Sequence, residues 1–195
     1  MVNRTHILGI AIVLLLITAI AIYWSTTQSG FSQINDGFEQ GVVRWERGYD
    51  LPDDPNRPGQ KVTWNITDST DIVRSGARGL SLYVDGTQDD GTIWVMRRIE
   101  VQGGETLELS FWSYSEVESF NTRVVLVAYI GKEQPVGEGS FEVIGPGDNW
   151  VGWQEFTYTK TVPSSADRVW VALGISVRWE TDITQYFDDL EIDRK

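Results

Sequence analysis

Leu107-Glu-Leu-Ser-Phe-Trp-Ser-Tyr114 alternates with a period of two, placing Leu107, Leu109 and Phe111 on one face and Glu108, Ser110, Trp112 and Tyr114 on the other. Successive side chains of a strand point to opposite faces, so this stretch predicts a half-buried strand rather than an amphipathic helix. The same period recurs at Leu80, Leu82 and Val84, at Val124, Leu126, Ala128 and Ile130, and at Val169, Val171, Leu173 and Ile175. Between these runs lie Asp50-Leu-Pro-Asp-Asp-Pro-Asn-Arg-Pro-Gly59, Asp85-Gly-Thr-Gln-Asp-Asp-Gly91, Gln102-Gly-Gly104 and Gly145-Pro-Gly-Asp148, which are turn and loop chemistry. About nine strands are expected, near 37 to 40, 60 to 68, 79 to 84, 92 to 100, 105 to 114, 122 to 131, 153 to 161, 168 to 178 and 185 to 193. Many short strands with one mixed face predict an all-β fold, an antiparallel β-sandwich of the jelly-roll type.

The first residues read differently. From Ile7 to Trp24 the chain is uncharged and apolar, about the length a helix needs to cross a hydrocarbon core of roughly 30 Å. Arg4 precedes it and no Lys or Arg follows until Arg44, so the N-terminus is expected to stay cytoplasmic. Ala19-Ile20-Ala21 also satisfies the small-x-small rule for signal cleavage. The apolar run continues past that point to Tyr23 and Trp24, rings suited to the membrane interface, and this favours an uncleaved anchor. The expected organisation is a membrane anchor over 1–24, a flexible tether over 25–33 and one sandwich domain over 34–195, on the extracytoplasmic side of a cell membrane. The Ser25 to Ser32 part of the tether spans only about 15 Å as a random coil.

Composition narrows the chemistry. Sixteen basic against 28 acidic residues give a formal charge of −12, which repels phosphate backbones and makes nucleic acid an unsuitable partner. Cysteine is absent and the single histidine, His6, precedes the apolar segment. Ser-His-Asp and Cys-His nucleophiles and His-containing zinc sites are thereby excluded from the domain. Carboxylate pairs remain, at Asp53-Asp54, Asp89-Asp90 and Asp188-Asp189. Neighbours in a strand face opposite ways, so such pairs are poorly arranged to converge on one glycosidic bond. A non-enzyme is expected, with a carboxylate-dependent glycoside-active enzyme as the weaker alternative. Asn65-Ile66-Thr67 is a glycosylation sequon.

Nine tryptophans are many for this length, and only Trp24 belongs to the apolar segment. A tryptophan ring can stack on an apolar sugar face while its N–H donates a hydrogen bond. Alternation places Trp94, Trp112 and Trp170 opposite core residues. An outer face carrying Trp94, Trp112, Tyr114 and Trp170, with Arg98 and Arg123 as donors, is therefore the expected ligand-binding surface for a neutral polyhydroxylated ligand. Trp153, which starts an alternating strand, is expected to be structural, and Trp150 to lie at a loop tip.

The order of motifs resembles the jelly-roll carbohydrate-binding modules of the family 4, 9 and 22 type, within the galactose-binding-like sandwiches. The motifs are Asp36-Gly-Phe-Glu-Gln-Gly41 with Trp45, then Ser75-Gly-Ala-Arg-Gly-Leu-Ser-Leu82 and Val101-Gln-Gly-Gly-Glu-Thr-Leu-Glu-Leu-Ser-Phe-Trp112. Trp153-Gln-Glu-Phe156 with Val162-Pro163 and the closing Tyr186-Phe-Asp-Asp-Leu-Glu-Ile192 complete the series. The resemblance implies a non-catalytic sandwich that binds polysaccharide and carries a structural Ca²⁺. Matched residue by residue, it assigns carboxylate ligands to Glu39 and Asp188, with Asp189 replacing Asp188 under a one-residue shift, and backbone carbonyls near Gly76 to Gly79. The expected partner is a neutral glycan or a cell-envelope component, and the alternative is an adhesion protein that binds another protein through the same face.

Overall fold

Every alternating run of the sequence buries its apolar side: Leu80, Leu82, Val84, Leu107, Phe111, Val124, Leu126, Ala128, Val169, Val171, Leu173 and Ile175 are all wholly inaccessible to solvent. These runs form two facing antiparallel sheets in a computed structural model that describes residues 34–87, 91–116, 123–146 and 150–195. The apolar segment Ile7 to Trp24 and the tether expected after it lie outside the described residues, up to residue 33. No helix among the described residues is long and apolar enough to cross a membrane.

Eleven strands occur in the described residues: β1 (Ile34–Asp36), β2 (Glu46–Asp50), β3 (Trp64–Ser69), β4 (Gly79–Gly86), β5 (Gly91–Glu100), β6 (Thr106–Ser115), β7 (Val124–Gly131), β8 (Glu142–Gly145), β9 (Gly152–Thr161), β10 (Arg168–Val177) and β11 (Thr181–Arg194). The first sheet has the order β3-β4-β11-β6-β9, with β1 paired to the far part of β11; the second has the order β2-β5-β10-β7-β8. All pairings within them are antiparallel. Among the described residues helix is confined to two short 3-10 turns, Val42–Arg44 and Glu138–Ser140.

Three expectations about elements are corrected. The strand expected near 37 to 40 is a turn, because Asp36 Oδ1 accepts the Phe38 N–H and the chain reverses through left-handed residues at Phe38 and Gly41. The strand itself lies just upstream, at β1. β2 and β8 were not expected, since both are edge strands whose exposed positions carry no clean alternation.

A bulge in β11 sets which way the last residues of that strand face. Asp188 pairs with Trp112 and Glu191 with Ser110, so three steps on β11 oppose two on β6. The extra residue, Asp189, is left-handed at φ 47°. It resets the alternation so that Phe187, Leu190 and Ile192 all point into the core.

Candidate functional site

Directly paired residues of an antiparallel sheet share a face, so the registers assign each expected ligand residue to a surface. Trp94, Arg98 and Trp170 stand on the outer face of the second sheet, where Trp170 pairs with Arg98. Trp112 and Tyr114 stand on the outer face of the first. The single face expected to carry all four aromatics is therefore two faces on opposite sides of the sandwich. Alternation identified correctly that these rings point away from the core; it carried no information on which sheet each strand joins. Arg123 lies in neither row, in the turn before β7, where its carbonyl accepts the N–H groups of Arg178 and Trp179.

On the second sheet Trp94 points outward yet is only 2% exposed. Its indole lies across Gly48, where an added Cβ would come within 2.2 Å of the ring, and Phe141 packs on it at 5.0 Å between centroids. With Met96 and Ala172 it forms a small outer core, against which Tyr129, Phe141 and Trp170 pack. The connection between β7 and β8 supplies this cover. Trp94 is thus structural, and Trp170 beside exposed Arg98 is what this face retains for a ligand.

On the first sheet one register row runs Thr67, Ser81, Tyr186, Tyr114, Trp153 across β3, β4, β11, β6 and β9. Its three aromatic rings come from adjacent strands and are all partly exposed. Ring centroids are 6.3 Å apart for Tyr186 and Tyr114 and 5.3 Å for Tyr114 and Trp153. They make a platform about 10 Å long, two interstrand spacings, whose rings are not coplanar: Tyr114 is tilted 55° to Trp153 and 70° to Tyr186. Burial and the nearby carboxylates Glu116 and Asp71 push the Tyr186 hydroxyl above its ordinary pKa. Trp153, expected to be structural, completes this row. Trp150, expected at a loop tip, is buried at 8% exposure against Phe156.

Trp112 occupies the next row, between Asp188 and Glu155. Its ring is not free to stack, because the Arg74 guanidinium lies over it at 3.7 Å from the centroid. Arg74 is in turn held by an ion pair to Asp189. This links Trp112 to the residues assigned to a metal.

Glu39 and Asp188, 149 positions apart in sequence, do meet the same loop, residues 74 to 78. What that loop offers them is the opposite of what a cation requires. Asp188 Oδ2 accepts the backbone N–H groups of Arg74 at 2.8 Å and Ser75 at 3.1 Å, and Oδ1 accepts that of Asp189 at 2.8 Å. Glu39 accepts the N–H groups of Ala77 at 2.9 Å and Arg78 at 3.2 Å. Calcium takes oxygen ligands, carbonyls included, whereas this loop turns N–H donors toward both carboxylates. Among the described residues no three His, Cys, Asp or Glu side chains converge as a metal group. The residues present therefore do not fit the Ca²⁺ that the resemblance implied. They form an anion-holding loop, with the Arg74 cation beside it.

The other carboxylate pairs are similarly committed. Asp53 is ion-paired to Lys61 and Asp54 to Arg57. Asp89-Asp90 lies outside the described residues.

The architecture has known counterparts, although no family model and no curated protein matches the chain. A tandem pair of family 22 carbohydrate-binding modules from Paenibacillus barcinonensis superposes with a TM-score of 0.54 at 18% identity, over 84% of this chain and 51% of that one. The family 61 module TmCBM61, solved with β-1,4-galactotriose, gives 0.53 at 13% identity over 82% and 94%. The enzymatically active domain of tailspike protein 4 from bacteriophage CBA120 gives 0.52 at 12% identity, over 79% of this chain but only 20% of that one. The fold is the two-sheet jelly-roll sandwich that these structures share. On that jelly roll the partly exposed row of Tyr186, Tyr114 and Trp153 and the pair of Trp170 with Arg98 are outward aromatic features of the two sheet faces; among the described residues Trp179, 66% exposed, and the Tyr49–Trp64 pair, 4.8 Å between centroids, are also accessible. Sequence reasoning missed Tyr186, whose face depends on the bulge at Asp189, and discounted Trp153, whose parity was legible but whose neighbours were not.

Proposed function

We propose that this chain is a non-catalytic glycan-binding module, held on the extracytoplasmic side of a membrane by its N-terminal segment, and that Tyr186, Tyr114 and Trp153 are its glycan platform. The observation that carries the reading is this row of three partly exposed rings on neighbouring strands. Apolar rings spaced along a line, each tilted to the next, offer successive faces and edges to a twisted run of linked pyranose rings, and the hydroxyls of the tyrosines and the indole N–H supply hydrogen bonds at their edges. The jelly-roll fold supports the reading, as do sugar-bound structures on the same architecture. A non-catalytic role is supported by the commitment of the described carboxylate pairs to ion pairs and backbone donors.

The test is binding of the full-length protein in detergent to a panel of neutral and charged polysaccharides. Trp153→Ala and Tyr114→Ala are expected to weaken binding about tenfold each, and Trp170→Ala to leave it unchanged. Loss with Trp170→Ala alone would move the site to the second sheet. No binding to any glycan would end the reading and leave a protein partner on this face as the alternative.

A further inference from the structure

The glycosylation sequon Asn65-Ile66-Thr67 occupies the middle of β3. Asn65 pairs with Tyr83 and Thr67 with Ser81, in the register that sends Tyr186 outward. Both therefore stand on the outer face of the first sheet, while Ile66 between them is buried at 1% exposure. Asn65 and Thr67 are exposed, and among the described residues no hydrogen bond or ion pair engages either side chain. A slip of one residue would bury the asparagine and turn the isoleucine out, so the pairing of β3 with β4 is what leaves the sequon readable on the folded surface. β3 is also an edge strand, paired on one side only among the described residues. Around Asn65 the face carries the short side chains of Thr67, Ser81 and Thr184. The partly buried ring of Tyr83 stands directly opposite, its hydroxyl engaged by Asp182. Directly opposed residues have Cβ atoms about 5 Å apart, so a first sugar on the Asn65 amide has an aromatic surface to lie against.

Resting on the extracytoplasmic placement proposed above, we propose that Asn65 carries an N-linked glycan, which stands on the same sheet face as the row of Tyr186, Tyr114 and Trp153. The donor is an oligosaccharide carried on a lipid phosphate, transferred by a membrane-bound transferase on that side. A bond forms between Asn65 Nδ2 and the anomeric carbon of the sugar, and the bond from that carbon to the phosphate oxygen breaks. The lipid phosphate leaves with the electron pair, and one amide proton passes to a base of the transferase. The Thr67 hydroxyl, two residues on and therefore on the same face, is the second group that the motif requires. Asn65 lies two interstrand spacings across and two residues along from Tyr186, about 12 Å, so the glycan borders the aromatic row at its Tyr186 end. A second sequon, Asn3-Arg4-Thr5, precedes the apolar segment, on the side that the proposed orientation keeps cytoplasmic. The two triplets share a motif and differ in compartment, so only Asn65 meets the transferase.

The experiment is mass spectrometry of the full-length protein recovered from the membranes of the cells that make it, with fragmentation of the peptides that contain Asn3 and Asn65. The side on which the domain lies is read in parallel, by adding protease to intact cells. The peptide with Asn65 is expected to carry the added mass of an oligosaccharide and the peptide with Asn3 to be bare. Asn65→Gln and Thr67→Ala are each expected to abolish the added mass, and Thr67→Ser, which keeps the hydroxyl, to retain it. A bare Asn65 on a domain that the external protease digests would overturn the inference and leave the extracytoplasmic placement standing. A bare Asn65 on a domain protected from that protease would overturn both. An oligosaccharide on Asn3 in place of Asn65 would likewise overturn both, by reversing the orientation.

Discussion

Asp188 shows how one buried side chain holds two distant parts of the chain together. It is wholly inaccessible, and its oxygens accept three backbone N–H groups from the 74–75 turn and from Asp189. Replacing it with asparagine turns an NH₂ group toward one of those donors, and the expected loss is about 1–3 kcal/mol in urea unfolding at neutral pH. Burial pushes the Asp188 carboxyl above the usual aspartate value, the opposing hydrogen bonds and the repulsion of Asp189 being smaller effects. The folded state therefore holds this proton more tightly than the unfolded chain. That contribution to stability is fully present below the usual aspartate pKa and is lost as pH rises through the folded value. The stability difference between the protein and Asp188→Asn should accordingly shrink as pH rises through this acid window. A difference that stays flat would show that Asp188 titrates as an ordinary aspartate. Because the loop presents N–H groups, the melting temperature is expected to be the same with chelator as with added calcium, and a rise with calcium would mean that the loop can turn its carbonyls inward.

At the scale of elements, β5 depends on its neighbours lacking side chains. The Trp94 indole fits only because β2 has Gly48 opposite it, where a Cβ would sit 2.2 Å from the ring, and β10 has Gly174, where one would sit 2.2 Å from the Ile93 carbonyl. Gly48→Ala is expected to displace the ring from under Phe141 and cost about 1–3 kcal/mol. Gly139→Ala, where nothing lies within 4 Å of the added carbon, is the control and should be neutral or slightly stabilising. Equal effects from the two would show that the outer core around Trp94 is loosely packed. The period-two runs of β4, β6, β7 and β10 were legible because each carries at least three apolar residues in succession on one side. The edge strands β2 and β8 were not, since an edge strand is half solvated and its sequence need not alternate.

The molecule as a whole joins its first and last strands. β1 pairs with β11 from Ile34 opposite Ile192 to Asp36 opposite Leu190, and the Asn35 amide donates to Glu191 at 2.8 Å. The segment proposed to lie in the membrane, residues 1 to 24, is separated from β1 by nine residues of sequence. The protein is expected to remain in the membrane fraction after an alkaline wash, with an intact mass that includes residues 1 to 24. A mature mass beginning after Ala21 would replace the anchor with a removed signal. The sequence by itself determined that the domain is all-β, which residues alternate into its core, and that Trp94, Trp112 and Trp170 turn outward, because strand parity is a local property of the backbone. Only the tertiary structure decided which outward faces coincide. Sheet membership follows from pairings between strands far apart in the chain, and the facing of Tyr186 and Asp188 from a single inserted residue at Asp189. The aromatic platform therefore joins Tyr114 to Tyr186 and Trp153 rather than to Trp94 and Trp170. The two carboxylates matched to calcium meet a turn whose N–H groups, oriented by its own backbone, face them.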